Sequence, residues 1–356
     1  MKIFVHESIT GGGLDSSRIV PTLLVEGRMM LQALLTDLLR LEDHQIVLLI
    51  DRRRVTRVPH HRSLRVIDSG RDSGRGYRRI FAELVEEADA AFLIAPEAAG
   101  LLEGLTALVE ANGKVVLGSG ATGIKAAGDK ALTHQLLTSS NIPTPETHQV
   151  RHVEELAPLA RHLGYPVVVK PLDGVGCQSV FIARQEMELR RAFTTAARET
   201  GQDTLIVQPY IEGVHASVSL LTDGVRSLPL TLNLQEINGR TRLTYRGGRV
   251  PLDHPLRSLA FRRAAEVVRA IPGLKGYVGI DLVLTDRDVV VIEVNPRLTT
   301  SYVGIQMILR QNLAALIIDA VRGKLPEPGQ IQMAGTATFT TRSCEGAKRR
   351  SQRWFG

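Results

Sequence analysis

Two apolar segments in the last third of the chain each carry one acid: Gly279-Ile280-Asp281-Leu282-Val283-Leu284, and Val289-Val290-Val291-Ile292-Glu293-Val294. The second runs directly into Asn295-Pro296-Arg297. Alternating apolar segments joined by a short polar connection form the pattern of a β-hairpin. With Asp286-Arg287-Asp288 as a three-residue turn, Asp281 falls opposite Glu293 and Gly279 opposite Asn295. One face then carries Ile280, Leu282, Leu284, Val290, Ile292 and Val294, while Asp281, Glu293 and Asn295 share the other. Like charges facing each other across a sheet are destabilising. A hard divalent cation held by carboxylate and amide oxygens would compensate them. A two-residue turn would send the acids to opposite faces, so metal binding requires an odd-length turn. The plainer reading is an ordinary hairpin with two solvated acids; Asn295, Arg297 and two upstream lysines weigh against it.

Those lysines are Lys130 and Lys170. Lys170 ends the apolar run Pro166 to Val169 and precedes a hairpin turn, Asp173-Gly174-Val175-Gly176. An ammonium there can act as a point charge on a phosphate, and the adjacent amides of Gly174 to Gln178 can fold over phosphates as a nest. Alone, each lysine reads as a surface or strand-end residue. Gln208-Pro209-Tyr210-Ile211 reads as a segment joining two lobes, whose backbone groups could meet an adenine edge.

The elements around these residues divide the chain. The first part alternates strands (Ile3 to Val5, Ile46 to Ile50, Ala90 to Ala95, Val115 to Leu117) with helices (Leu23 to Leu41, Tyr77 to Ala88, Leu101 to Asn112). That order predicts a parallel sheet covered by helices, with ligands beyond the carboxyl ends of the strands. The long loop after the first strand, Glu7-Ser8-Ile9-Thr10-Gly11-Gly12-Gly13, is a candidate binding loop without the dinucleotide fingerprint. From about residue 125 the pattern becomes mixed α+β, ending in a helix from Val303 to Val321. The expected domains are 1–124, 125–207 and 208–325, with 326–356 as an extended, partly basic extension.

A chain of 356 residues exceeds one compact core. Its 44% hydrophobic and 23% charged residues are those of a soluble globular protein. The net charge of +7 is concentrated in Arg52-Arg53-Arg54 with Arg57 and in Lys348-Arg349-Arg350 with Arg353. With only 4% aromatic residues, a stacking platform for nucleic acid is disfavoured, and attraction of small anions is the functional alternative. The two cysteines make no disulfide framework. No apolar run reaches the length of a membrane helix, so a cytoplasmic protein acting on small molecules, with no nucleic-acid or membrane partner, is expected; a homodimer stays open.

In order, Lys130, Lys170 with its glycine turn, Val207 to Gly213, Gly279-Ile280-Asp281 and Glu293-Val294-Asn295-Pro296-Arg297 resemble the ATP-grasp superfamily of carboxylate–amine ligases over about residues 115–322. The resemblance implies an N-terminal Rossmann-like parallel-sheet domain and two α+β lobes enclosing ATP. It places Lys130, Lys170 and the Gly174, Gly176 and Ser179 turn on the phosphates. Gln208, Tyr210 and Ile211 would frame adenine, and Asp281, Glu293 and Asn295 would hold two Mg²⁺, with Mn²⁺ as an alternative. Two positions depart from the family pattern: Gln208 stands where a Glu usually opens the hinge, and His215 where a Glu usually takes the ribose hydroxyls.

The reaction so implied is phosphorylation of a carboxylate followed by attack of an amine, with Lys170 and Arg297 as catalytic residues. Glu7 to Gly13, Leu24 to Met30, and Asn295 to Gly304 further resemble the tyramine–L-glutamate ligase branch, which serves methanofuran-type C1-carrier cofactors. That branch implies Glu7, Ser8, Gly12, Arg28, Thr299, Thr300 and Tyr302 in the substrate pocket, with one threonine capping the following helix as the plainer reading. The competing readings are a pyrrolysine-type lysine ligase, a peptide ligase, a nucleotide-binding regulator with a degenerate site, and a nucleic-acid binder using the basic runs.

Overall fold

The computed structural model describes residues 1–14, 19–55, 57–71, 75–172, 174, 176–341 and 344–346. Asp173 and Val175 of the expected phosphate turn, and the basic run Lys348 to Arg350 with Arg353, lie outside the described residues.

The N-terminal unit contains β1 (Lys2–Glu7), α1 (Pro21–Leu38), β2 (Gln45–Ile50), β3 (Leu64–Asp68), α2 (Arg75–Glu87), β4 (Ala90–Ile94), α3 (Leu101–Ala111) and β5 (Val115–Val116). Its sheet is parallel, in the order β3-β2-β1-β4-β5. The continuous apolar run of β2 follows from burial on both faces. Ile46, Leu48 and Ile50 enter the core shared with α1, and Val47 and Leu49 enter the core under α2 and α3. Strand order reverses between β1 and β4, which opens a crevice beyond their carboxyl ends.

The central lobe begins with α4 (Ala121–Gly128), α5 (Lys130–Ser139), β6 (His148–Val150), α6 (Leu156–Leu163), β7 (Val167–Pro171), β8 (Phe181–Ala183), α7 (Glu186–Thr200) and β9 (Leu205–Pro209). It holds a four-stranded sheet in the order β6-β9-β7-β8. Asp129 caps α5 by accepting from the amides of Ala131 and Leu132, so the helix starts with Lys130 pointing from its first turn.

The C-terminal lobe comprises β10 (Val214–Thr222), β11 (Ser227–Asn238), β12 (Thr244–Val250), α8 (Arg257–Ala270), β13 (Gly276–Leu284), β14 (Val289–Asn295), α9 (Ser301–Ile308), α10 (Leu313–Val321), β15 (Ala337–Thr340) and β16 (Cys344–Gly346). Its sheet has seven strands in the order β14-β13-β10-β11-β12-β15-β16. The segment read as a loose extension thus contributes two strands, with β16 at the edge of the sheet. The helix expected from Val303 to Val321 is two helices, broken before Asn312, whose side chain caps α10 by accepting from the amide of Ala315. This lobe shares a hydrophobic core with the N-terminal unit, and a buried acid sits in that contact. Asp37 of α1 accepts from Tyr302 Oη at 2.7 Å and Gln306 Nε2 at 2.8 Å, and its backbone carbonyl accepts from Asn312 Nδ2 at 2.8 Å. Among the described residues no helix is long and apolar enough to cross a membrane.

The β13–β14 hairpin shows the expected pairing by a different route. Asp281 faces Glu293 and Gly279 faces Asn295. The loop, however, is not odd-length: Leu284 pairs with Val289, leaving Thr285, Asp286, Arg287 and Asp288 between them. A β-bulge restores the register, because Leu282 pairs with Val291 and Asp281 with Glu293, which leaves Ile292 as the extra residue. The buried partners of Ile280, Leu282 and Leu284 are therefore Val294, Val291 and Val289. Val290 and Ile292, read as core from alternation alone, lie on the cleft side of the bulge; Ile292 lines the cleft itself.

Candidate active site

Two cavities, of about 120 and 140 Å³, meet along a common wall. Asp281, Glu293, Gln235, Ile237, Gly176 and Cys177 line both. The bulged hairpin therefore presents its two acids at the junction of the cavities.

The first cavity lies between the central and C-terminal lobes. It is lined by Lys130 and Lys170, by Gly174 and Gly176 of the loop, by Gln208, Tyr210 and Ile211 of the segment linking the lobes, and by His215 at the start of β10. Sequence reasoning placed all eight together, and the geometry groups them. Lys130 Nζ donates to the Gly174 carbonyl at 3.0 Å and lies 3.4 Å from Glu293 Oε1. It thus joins the loop to the acid pair. Burial pushes the Lys170 ammonium down to about 8, against the attraction of Glu293. Burial also holds the His215 imidazole below its usual range, so it is a neutral wall where the family pattern has an acid. Gln208 Nε2 donates to Thr147 Oγ1. Ser179 is buried but does not line the cavity: its hydroxyl donates to Glu199 Oε2 at 2.7 Å. Gly176, Cys177 and Ser179 all have positive φ, near 63°, 60° and 54°. For the two residues with a Cβ this is uncommon backbone, of the kind that clusters at ligand-gripping loops.

The acids fit a hard cation. Asp281 Oδ1 accepts from Gln235 Nε2 at 2.9 Å. Burial, and then the facing Glu293, push the Asp281 carboxyl up to about 7, with the Asn295 and Gln235 amides acting the other way. Two half-buried carboxylates facing each other, with a lysine at 3.4 Å from only one of them, are an undercompensated charge, and their donor set with Asn295 is all oxygen, the chemistry Mg²⁺ and Mn²⁺ select.

The second cavity lies at the crevice of the N-terminal sheet. Glu7 and Ile9 at the end of β1 and Ile94 and Ala95 at the end of β4 form one side; Arg297, Thr299 and Thr300 form the other. Arg297 carries an ion pair with Glu97: Nη2 donates to Oε2 at 3.0 Å and Nε lies 3.0 Å from Oε1. Burial opposes the Arg297 charge, and Glu97 more than offsets it, holding the guanidinium above its usual value. Arg297, expected as a catalytic residue, is thus already engaged in a salt bridge. That bridge occupies one edge of a group with five N–H donors. Thr299 Oγ1 meets Tyr277 Oη at 3.1 Å, and Thr300 Oγ1 meets Tyr245 Oη at 2.8 Å. Thr300 sits at the N-cap of α9, but its hydroxyl makes no capping bond.

Four residues expected in this pocket lie elsewhere. Arg28 donates from Nε and Nη2 to the Arg54 carbonyl. Tyr302 is held by Asp37 in the interdomain core. Gly12 packs over Ser69 and lines a separate surface groove with Arg53 and Tyr77. Ser8 is buried behind the wall, with its hydroxyl lacking a hydrogen-bond partner among the described residues. Glu7 reaches the cavity, but its carboxylate accepts the amides of Ile9 at 3.1 Å and Thr10 at 2.7 Å and so shapes its own loop. Sequence reasoning missed Glu26, Glu97, Gln235, Tyr245 and Cys177. The only available signal for Glu26 was its position between Leu23 and Met30 on one helical stripe.

Known proteins agree with this architecture. A family model for the ATP-grasp domain matches residues 127–301, and one for the pre-ATP-grasp domain matches residues 44–124. A tyramine–L-glutamate ligase from Methanocaldococcus fervens is 29% identical over 318 residues, covering 89% of this chain and 93% of that one. An ATP-grasp superfamily protein from Archaeoglobus fulgidus superposes with a TM-score of 0.68 at 23% identity, over 95% of this chain and 91% of the other. Biotin carboxylase from Campylobacter jejuni gives 0.74 at 20% identity, over 95% and 74%. With its Lys130–Lys170 cavity, its bulged acid pair and its N-terminal parallel sheet, the chain belongs to the ATP-grasp superfamily of carboxylate–amine ligases.

Proposed function

We propose that the protein uses ATP to phosphorylate a carboxylate, the γ-carboxylate of glutamate, and joins the resulting acyl phosphate to a primary amine such as tyramine, releasing ADP and phosphate. The observation that carries this reading is the position of Asp281 and Glu293 on the wall common to both cavities. A phosphoryl group passing from one ligand to another must cross at such a junction. The choice of glutamate and tyramine, and a role in methanofuran-type cofactor synthesis, rests on the M. fervens relative and on the resemblance of residues 7–13, 24–30 and 295–304.

The roles of this chain's residues follow from charge. ATP-grasp enzymes bind ATP with Mg²⁺ or Mn²⁺; here Asp281, Glu293 and Asn295 would hold two ions, which when bound neutralise charge on the transferring phosphoryl group. Lys130 and Lys170 place cations beside the phosphates. The Gly174–Ser179 loop offers amides to them and excludes water that would hydrolyse an acyl phosphate. Gln208, Tyr210 and Ile211 frame the base, and His215 meets the sugar without an acid's grip. On the other side Arg297, steadied by Glu97, holds a substrate carboxylate or the oxyanion formed when the amine adds to the acyl carbon. Thr299 and Thr300 line its approach.

The deciding measurement is ADP release and amide product mass, screened over L-glutamate and other carboxylates with tyramine and other primary amines. Amide formed from glutamate and tyramine is the expected result. Nucleotide binding without ADP release for any acceptor would instead favour a regulator.

A further inference from the structure

The carboxylates around the second cavity can be accounted for one by one. Glu7 is satisfied by the amides of Ile9 and Thr10, Glu97 by Arg297, Asp281 by Gln235 and Glu293 by Lys130. Glu26 lines the same cavity and has no hydrogen bond or ion pair among the described residues. Arg297 acts on it through space, but its close partner is Glu97. Glu26 is half-buried, and a carboxylate turned into a largely apolar pocket without a partner loses part of its hydration for no compensating contact, so its position needs a reason.

The surroundings supply one. Leu23, Glu26 and Met30 are spaced three and four residues apart on α1 and therefore share one face. All three line the cavity, opposite Ile9 and Ile94. The site is thus an anionic point set in apolar walls. It is complementary to a cation carried on a hydrocarbon, and it lies in the cavity that Lys130 and Lys170 do not line.

We infer that Glu26 is the ammonium-binding residue of the substrate cavity, taking the primary ammonium of a substrate whose carbon skeleton packs on Leu23, Met30, Ile9 and Ile94. The inference rests on the ligase reading above and specifies which residue recognises its nitrogen-bearing substrate. Burial pushes the Glu26 carboxyl up to about 7, consistent with a group whose charge awaits a cation. Two ligands could bring that ammonium: the amine, or the α-amino group of the amino acid.

Glu26→Gln, nearly isosteric, separates them. Hydroxylamine, small and neutral at pH 7, captures an acyl phosphate without needing an ammonium site. Hydroxamate formation is measured with glutamate and with glutarate, which lacks the α-ammonium, and amide formation is measured with tyramine. The expected result is a rise in KM on the order of 10²-fold (the loss of a charge-assisted contact) in one arm, with glutarate hydroxamate formed at the wild-type rate. A rise for tyramine assigns the amine to Glu26, and a rise for glutamate assigns the amino acid. Glu26→Asp, which keeps the charge, restores most of the lost affinity in that arm.

Both KM values staying within threefold of wild type would overturn the assignment, as would loss of glutarate hydroxamate in a folded Glu26→Gln protein. Binding is also read without turnover. The ammonium donor (tyramine or glutamate) raises the thermal midpoint of the wild type but not of Glu26→Gln, and equal stabilisation of both by both ligands refutes the site. If the wild type makes no hydroxamate from either acid, the ligase reading fails, and the thermal measurement still decides Glu26.

Discussion

The cavity that carries Lys130 and Lys170 is assembled from the two ATP-grasp lobes, with its charges on strand ends and helix starts that are adjacent in the motif order. The cavity that carries Arg297 is assembled across the chain: Arg297 and Glu97 are 200 positions apart, and the walls come from the first strand, the first helix, the fourth strand and the segment before α9. The first kind of site is fixed by local geometry, since a bulge and a cap place Glu293 and Lys130. The second depends on how the N-terminal unit docks. Phosphate chemistry can therefore stay constant while the docked unit changes what is joined, and the two ends should respond differently to mutation.

The largest effect is expected where the cavities meet. Asp281→Asn or Glu293→Gln should lower ADP release by at least about 10³-fold, the several kcal/mol that charge neutralisation contributes to phosphoryl transfer. The fold should persist, because each change relieves a half-buried like-charge pair. Turnover near the wild-type value in either variant, by a coupled ADP assay, would remove the metal assignment and with it the distinction between the two ends.

Next in size is the bond that ties the substrate end together. Both members of the Arg297–Glu97 pair are largely buried, with side-chain exposures of 13% and 8%. Glu97→Ala leaves the arginine uncompensated, which costs about 3–5 kcal/mol in such settings. A lower thermal midpoint, with nucleotide affinity little changed, is the expected pattern. A loss of ATP affinity as large as the loss of stability would show that the two ends are not independent.

The same contrast explains what could be read in the sequence. Acid, amide and lysine positions at the nucleotide end follow from alternation and strand ends, so the pairing of Asp281 with Glu293 was legible; Ile292 was not, because a bulge interrupts the alternation that locates it. β12, Thr244-Tyr245-Arg246-Gly247-Gly248-Arg249-Val250, was missed because two consecutive glycines are poor strand formers and break the apolar alternation. Its neighbours require those glycines: a Cβ at Gly247, where φ is near 137°, would come within 2.0 Å of the Phe339 carbonyl oxygen. That strand brings Tyr245 to the substrate cavity. Glu97 carries no local signal, and Glu26 only its place on a helical stripe, because their roles exist only after docking. Arg28 and Tyr302 lie in matching segments, yet their side chains serve the fold.

A smaller effect tests the nucleotide end through pH. Lys170, pushed from 10.5 down to about 8 by burial, is a cation below that pH and loses its proton as the pH rises through it. Because phosphate binding needs the charge, kcat/KM for ATP should fall above pH 8 by up to about tenfold per unit. Lys170→Arg should abolish that limb. Folding stability runs the opposite way: the unfolded lysine keeps its proton to about 10.4 while the folded one releases it earlier, so stability rises between these values. An ATP profile flat to pH 10 in the wild type would show that this ammonium does not face the phosphates.

The smallest effect falls on a residue that the family resemblance places in the substrate pocket. The guanidinium of Arg28 is spent on the Arg54 carbonyl, so Arg28→Ala removes a bond within the N-terminal unit. A loss of about 1 kcal/mol in stability is expected, with the KM values for the carboxylate and the amine within about twofold of wild type, since the variant leaves Glu26 and Arg297 untouched. A tenfold rise in either KM at unchanged stability would put Arg28 back among the groups that touch substrate. The substrate end would then have to close by a movement of α1 toward the C-terminal lobe, and its contrast with the preformed nucleotide end would be sharper still.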